Sequence, residues 1–173
     1  MPARIEAVEG DITRQDLHAI VNAANSSLLG GGGVDGAIHA AAGPSLLAEC
    51  RELRATHLPD GLPTGRAVAT GAGNLPAQWV IHTVGPDARR GQTDPGLLAS
   101  CFSSSLDVAT QVGARTVAFP AISAGIYGWD VHDVARVAVQ TVTRYLDGTD
   151  EIELVRFVLF GARAHRAFAG QLA

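Results

Sequence analysis

An α/β fold with helices on both faces of a sheet is predicted by three properties of this chain. Short apolar strand candidates alternate with helix-length segments through most of its length. Hydrophobic residues make up 47% of 173 positions, enough for a core that buries roughly 70% of the surface exposed by the unfolded chain. Small, glycine-rich loops follow the strand candidates, as in open α/β sheets that bind ligands at strand ends. No repeat, low-complexity stretch or linker interrupts the pattern, so one domain over residues 1–173 is expected.

The elements follow in order. Residues Ile5 to Glu9 alternate apolar and polar side chains and meet Gly10-Asp11, which reads as a strand ending in a turn. Ala19 to Val21 is a short buried strand. Gly36 to Ala42 and Pro44 to Ala55 are two helices broken at Gly43-Pro44. Leu58 to Pro63 is a turn-rich loop, and Ala67 to Thr70 and Gln78 to Val84 are strands. Asp87 to Asp94, rich in charge, reads as a mobile surface loop. Pro95 to Gly113 carries helical spacing at Leu97, Leu98, Cys101, Leu106 and Val108. Thr116 to Pro120 is a strand, Val131 to Leu146 an amphipathic helix, Glu151 to Phe160 the last strand and Ala162 to Leu172 the closing helix.

Composition excludes several function classes. The net charge of −4 and pI near 5.8 give no footprint for general nucleic-acid or anionic-membrane binding. No apolar run approaches a membrane span and the N-terminus has no signal-peptide core, so a cytoplasmic protein is expected. Cys50 and Cys101 lie in helix-like apolar patterns and read as reduced core thiols. Six scattered histidines and no paired Cys/His spacing predict no metal site, and no cofactor is expected. All 13 basic residues are arginines. The absence of lysine removes Schiff-base chemistry and a P-loop lysine. No arginine lies between Arg14 and Arg51 or between Arg115 and Arg136, so any phosphate held there must be held by backbone amides.

The stretch from Asn22 to His39 carries the strongest signal. Gly30 to Gly33 are four consecutive glycines opening a helix, and a helix start of this kind is an anion site because unpaired N–H groups and the helix dipole point the same way. Two carboxamides and one carboxylate flank it, which a plain phosphate holder does not require. A second loop, Pro120 to Trp129, repeats the arrangement between a strand and a helix, and two such loops facing each other would grip a pyrophosphate from both sides.

Each candidate also has a structural reading. Asp11 is either a turn or cap aspartate or an acceptor for an amino group such as that of adenine. Asn22 and Asn25 are either turn residues or readers of sugar hydroxyls. Asp35 precedes Gly36 and would make a good N-cap, or it orients water or a ribose hydroxyl. His39 is a packed helix histidine or a general base. Tyr127 offers a flat apolar surface to a ribose. Phe160 stacks on a base or, on local pattern alone, belongs to the core.

Together these residues identify the chain as a member of a known family by resemblance. Gly10-Asp11-Ile12-Thr13, Asn22-Ala-Ala-Asn25, Gly30-Gly-Gly-Gly33-Val-Asp35-Gly36, Ala41-Ala-Gly43-Pro44, Thr64-Gly65, His82-Thr-Val-Gly85-Pro86 and Phe119-Pro-Ala-Ile-Ser123 resemble the macrodomains. The closest branch is the MacroD-type ADP-ribosyl hydrolases and O-acetyl-ADP-ribose deacetylases. The resemblance implies a three-layer α/β/α fold with a mixed central sheet and an ADP-ribose cleft. It also implies removal of ADP-ribose from acidic side chains of mono-ADP-ribosylated proteins and deacetylation of O-acetyl-ADP-ribose.

By the same resemblance, Asp11 binds the adenine amino group with Ile12 beside it, and Phe160 lies near the adenine. The backbone of Gly31, Gly32, Gly33 and Val34 and the loop Ser123, Ala124, Gly125, Ile126 and Tyr127 enclose the diphosphate. Asn25 and Asp35 address the distal ribose and the attacking water, and Asn22 braces the loop. Three positions depart from the family pattern. Ala124 stands where a threonine is usual, Trp129-Asp follows Gly128 where an aromatic–proline step is common, and Ala40 replaces a usual arginine.

Two other functions share part of this pattern. A module that binds ADP-ribose without cleaving it would share the cleft but would not need Asn25 together with Asp35. A dinucleotide-dependent oxidoreductase is disfavoured, because the glycines follow the second strand candidate and no G-x-G-x-x-G follows the first.

Overall fold

The structure is a computed structural model that describes residues 3–173. It contains strands β1 (Arg4–Glu9), β2 (Ala19–Ala24), β3 (Ala67–Gly71), β4 (Trp79–Val84), β5 (Thr116–Phe119) and β6 (Leu154–Leu159). The helices are α1 (Gly33–Ala42), α2 (Pro44–Thr56), α3 (Pro95–Gln111), α4 (Val131–Asp147) and α5 (Ala162–Leu172). The strands form one sheet in the order β1-β6-β5-β2-β4-β3. All neighbours are parallel except β3, which runs antiparallel to β4, so the sheet is mixed.

Alternation along the strands divides the core in two. Ala19, Val21, Ile81, Val155, Phe157 and Leu159 face α3, α4 and α5, whereas Ile20, Ala24, Val80, Val84 and Val158 face α1 and α2. Three layers result. On the first face Phe102, Phe119, Phe157 and Phe168 form a chain of ring contacts with centroids 5.0–6.3 Å apart. Such pairs add to the stabilisation that burial alone provides.

The helix starts are chemically marked. Asp94 and Asp130 accept hydrogen bonds from the first-turn amides of α3 and α4. Pro44 and Pro95 occupy first-turn positions, where the missing N–H costs nothing. Gly43, at φ 81°, makes the corner between α1 and α2.

Several boundaries differ from the sequence reading. Helix α1 begins at Gly33 rather than Gly36, because Gly32 in extended geometry serves as its N-cap and Gly33 at φ 59° can start the turn. Strand β2 runs through Ala24, so Asn22 is a strand residue in register with His82 and not part of the loop. Strand β6 ends at Leu159, and Gly161 at φ 106° turns the chain away, leaving Phe160 outside the sheet. The 87–94 segment carries a 3-10 turn at Ala88–Arg90 capped by the buried Asp87, whose amide donates to Gln92 Oε1. Among the described residues no helix is long and apolar enough to cross a membrane.

Candidate active site

Strands β2 and β5 are neighbours, yet the chain leaves β2 toward α1 on one face and β5 toward α4 on the other. Where adjacent connections diverge in this way a crevice opens at the carboxyl ends of the strands. A cleft of about 980 Å³ occupies that place. It is walled by the ends of β1 and β2, the start of α1, the β5–α4 loop and the turn after β6.

The glycine loop forms one wall. Among the described residues no side chain caps α1, so its first-turn amides are unclaimed by a cap and border the cleft through Gly32, Gly33 and Val34. Close approach dictates one glycine and crowds a second. A Cβ on Gly36 would lie 2.5 Å from the carbonyl oxygen of Gly31, and one on Gly31 would lie 3.2 Å from both Asn25 Nδ2 and Asp35 Oδ2. The loop therefore lies directly on α1, and Asn25 and Asp35 flank the same backbone position.

Asn25 is pinned. Its Nδ2 donates to the Gly30 carbonyl at 3.0 Å, and its Oδ1 accepts from the Ser27 hydroxyl. Behind it Arg54 of α2 donates to the carbonyls of Ser27, Leu58 and Pro59, tying the Asn25 loop to the end of α2. Leu28 at φ 61° is buried beneath that loop.

Asp35 is 4% exposed. It sits in the first turn of α1 rather than at the cap, so its carboxylate satisfies no amide of its own helix end. Oδ1 accepts from Asn22 Nδ2 at 2.8 Å and lies 3.4 Å from His39 Nε2. Burial raises its pKa above the usual carboxylate value, against the opposing pull of the Asn22 hydrogen bond and the nearby His39. His39 packs behind the loop, half-buried, and does not line the cleft.

The second loop forms the opposite wall. Ser123, at φ 68°, donates its hydroxyl to the Pro86 carbonyl at 2.8 Å, and Trp129 N–H closes the loop onto the Ser123 carbonyl. Gly85 makes this contact possible, since a Cβ there would collide with Ser123 Oγ. Ala124, Gly125, Ile126 and Tyr127 all border the cleft, Ile126 being 65% exposed.

At the far end Asp11 accepts from the amide and hydroxyl of Thr13. The hydroxyl bond is the main reason its pKa lies below the ordinary value. It is thus a cap and a cleft residue at once, with Ile12 buried beside it. Phe160 is 95% exposed on the cleft rim, which overturns its reading as a core residue. The strand pattern that suggested burial ends one residue before it.

Every residue that the resemblance assigns to the site lines the cleft except Asn22, which is wholly buried behind Asp35, and the candidate base His39 also stays outside it. The sequence reading missed Arg163 and Asp130 as cleft residues. Arg163 lies three residues beyond Phe160, and the strand-end rule applied to the turn after β6 would have found it. Among the described residues, Arg163 is the sole basic residue lining the cleft, against Asp11, Asp35 and Asp130. No group of three or more His, Cys, Asp or Glu there could hold a metal ion.

Comparison with known proteins decides the family. Residues 21–138 match the Macro domain family. The chain belongs to the macrodomains. A macro domain-containing protein of Streptomyces coelicolor is 64% identical over 168 residues, covering 97% of this chain and 98% of that one. An O-acetyl-ADP-ribose deacetylase of Cronobacter turicensis is 52% identical over 161 residues, covering 92% and 90%. The Oceanobacillus iheyensis macrodomain solved with ADP superposes at a TM-score of 0.91 with 44% identity, covering 97% and 89%. The three-layer architecture with a mixed sheet is that of this macrodomain fold.

Proposed function

We propose that this macrodomain is a hydrolase that releases ADP-ribose from acidic side chains of mono-ADP-ribosylated proteins and deacetylates O-acetyl-ADP-ribose. The observation that carries the reading is the pairing of Asn25 and Asp35 across Gly31 at one end of a cleft bordered by two glycine loops. The resemblance to the Cronobacter deacetylase supports the substrate class.

ADP-ribose lies along the cleft with its adenine toward Asp11, Ile12 and Phe160. Asp11 Oδ1 is engaged by Thr13, and Oδ2, 3.7 Å from Arg14 Nε, keeps a lone pair to accept from the adenine amino group. The amides of Gly31 to Val34 and of the Ser123 to Tyr127 loop enclose the diphosphate, a backbone grip suited to an anion. Ala124 in place of a threonine contributes backbone to such a grip without a hydroxyl.

Asn25 fixes the distal ribose, and Asp35 holds a water together with an oxygen of the substrate's α-phosphate. A carboxylate made more basic by burial is a better proton acceptor for that water than an exposed one. Positioning supplies much of the acceleration.

The test is turnover of a panel of ADP-ribosyl linkages, including a carboxylate ester on a peptide and O-acetyl-ADP-ribose. Wild type cleaves them, and Asp35→Ala lowers kcat by ~10²–10⁴-fold while still binding free ADP-ribose. Tight binding by wild type without cleavage of any linkage would establish a reader module instead. Equal turnover by Asp35→Ala would remove Asp35 from the mechanism.

A further inference from the structure

Behind the cleft wall runs a buried polar chain that the hydrolytic reading does not use. Asn22 of β2, His82 of β4 and Thr70 of β3 are 0%, 0% and 3% exposed. Asn22 Nδ2 lies 2.8 Å from Asp35 Oδ1 and 3.2 Å from His82 Nδ1. His82 Nε2 lies 3.0 Å from Thr70 Oγ1, which lies 2.9 Å from the Gly71 carbonyl.

The directions in this chain follow from its Asp35 end. At the other end a carbonyl only accepts, so a Thr70 hydroxyl that donates to Gly71 has a lone pair free for His82 Nε2–H. An ionised carboxylate also only accepts, so the nitrogen of the Asn22 amide must face Asp35, and its second N–H then needs the bare Nδ1 of His82. Only the neutral Nε2–H imidazole satisfies both ends. Burial, the larger cause, and the nearby His39 push the His82 pKa down to about 3, which keeps that form throughout the neutral range. Among the described residues Asn22 Oδ1 has no partner, so the amide is held by its nitrogen. Turning it over would set its oxygen against the Asp35 carboxylate and the His82 lone pair together.

We infer that His82 is a positioning residue for Asp35: locked as the Nε2–H tautomer by Thr70, it holds the Asn22 amide that presents the carboxylate to the cleft. The inference rests on the hydrolase reading for the role of Asp35. The same amide hydrogen bond fixes Oδ1, while Oδ2 lies toward Gly31 and Asn25. A polar chain serving stability alone would lower Tm when broken and leave turnover per folded molecule unchanged.

The experiment combines kinetics with nitrogen NMR. In wild type at pH 7, long-range proton–nitrogen correlations show His82 as the neutral Nε2–H tautomer. His82→Leu, which offers Asn22 no acceptor, loses ~10–100-fold in kcat on an ADP-ribosyl ester, with KM and ADP-ribose affinity within ~2-fold of wild type. His82→Asn places an oxygen where Nδ1 stood and recovers kcat to within ~3-fold of wild type. Thr70→Val frees the opposite tautomer and lowers kcat without changing KM.

An Nδ1–H or charged imidazole, or His82→Leu and Thr70→Val turning over like wild type, overturns the inference. Should His82→Leu fail to fold, Thr70→Val and the wild-type spectrum decide. The spectrum needs no turnover, so a wild type inert on every linkage would sink the hydrolase reading without being mistaken for a wrong tautomer.

Discussion

Asp35 reaches its place through residues that precede and follow it rather than through its own helix end. The local sequence suggested a cap, because an aspartate before Gly36-Ala-Ile-His fits that pattern. The glycine at 33 starts the helix earlier, and the carboxylate turns inward to Asn22 instead. Its pKa is raised by burial, so the folded protein holds that proton more tightly than the unfolded chain does. The contribution of Asp35 to stability is therefore fully present below its ordinary value of 3.8 and is lost as pH rises through the raised one. Above that window the native state keeps a charge in a place that opposes it. Asp35→Asn removes the charge and retains an acceptor for Asn22. The variant should melt higher than wild type at pH 8, by ~2–4 °C per kcal/mol for a chain of this size. The gain should shrink as pH falls toward 3.8. Thermal unfolding across that range checks it, and a difference constant with pH would contradict the assignment. Phe160 carries the converse lesson. Four phenylalanines pack in the core while the fifth stands 95% exposed, and only the positive-φ turn at Gly161 separates the two outcomes.

The α1 element and its glycine loop act as one unit. Gly36 is required by its contact with the Gly31 carbonyl and Gly31 is tightly flanked by Asn25 and Asp35, whereas a Cβ at Gly32 would meet nothing within 4 Å among the described residues. Gly32→Glu therefore leaves the fold intact and places a carboxylate where the anion would lie. Calorimetry should show ADP-ribose binding lost with Tm close to wild type, and unchanged affinity would show that this loop does not hold the ligand. Most elements were legible because their ends carry local chemistry: Asp94-Pro95 and Asp130 mark helix starts, and Val80, Ile81 and Val84 mark a strand buried on both faces. The first turn of α1 was not legible, since propensity gives glycines no credit for starting a helix. The strand character of Asn22 was hidden for a related reason. Its register with His82 is a tertiary pairing, and an Asn-Ala-Ala-Asn sequence taken alone reads as a turn.

At the scale of the whole molecule, strand–helix alternation carried the two-faced sheet, and the divergence of the β2 and β5 connections explains why its ligand loops face each other. The antiparallel placement of β3 was not readable, because a short strand before another carries no direction in its own composition. The alternation of Val80, His82 and Val84 on one strand face placed a histidine among core side chains. A buried polar residue in that position is a signal that the sequence held but that local reading did not exploit.

The unbalanced charge of the cleft wall, three carboxylates to one guanidinium in a chain of net charge −4, shapes how a ligand arrives as well as how it is held. Backbone dipoles attract an anion only at contact, so a diphosphate approaching from solvent first meets repulsion. Raising ionic strength from ~20 to ~300 mM shortens the reach of that repulsion to several ångströms. Stopped-flow association of ADP-ribose should accordingly quicken with salt, the reverse of binders whose anion sites are built from lysine and arginine. A rate that slows with salt would place an attracting cation in the approach path.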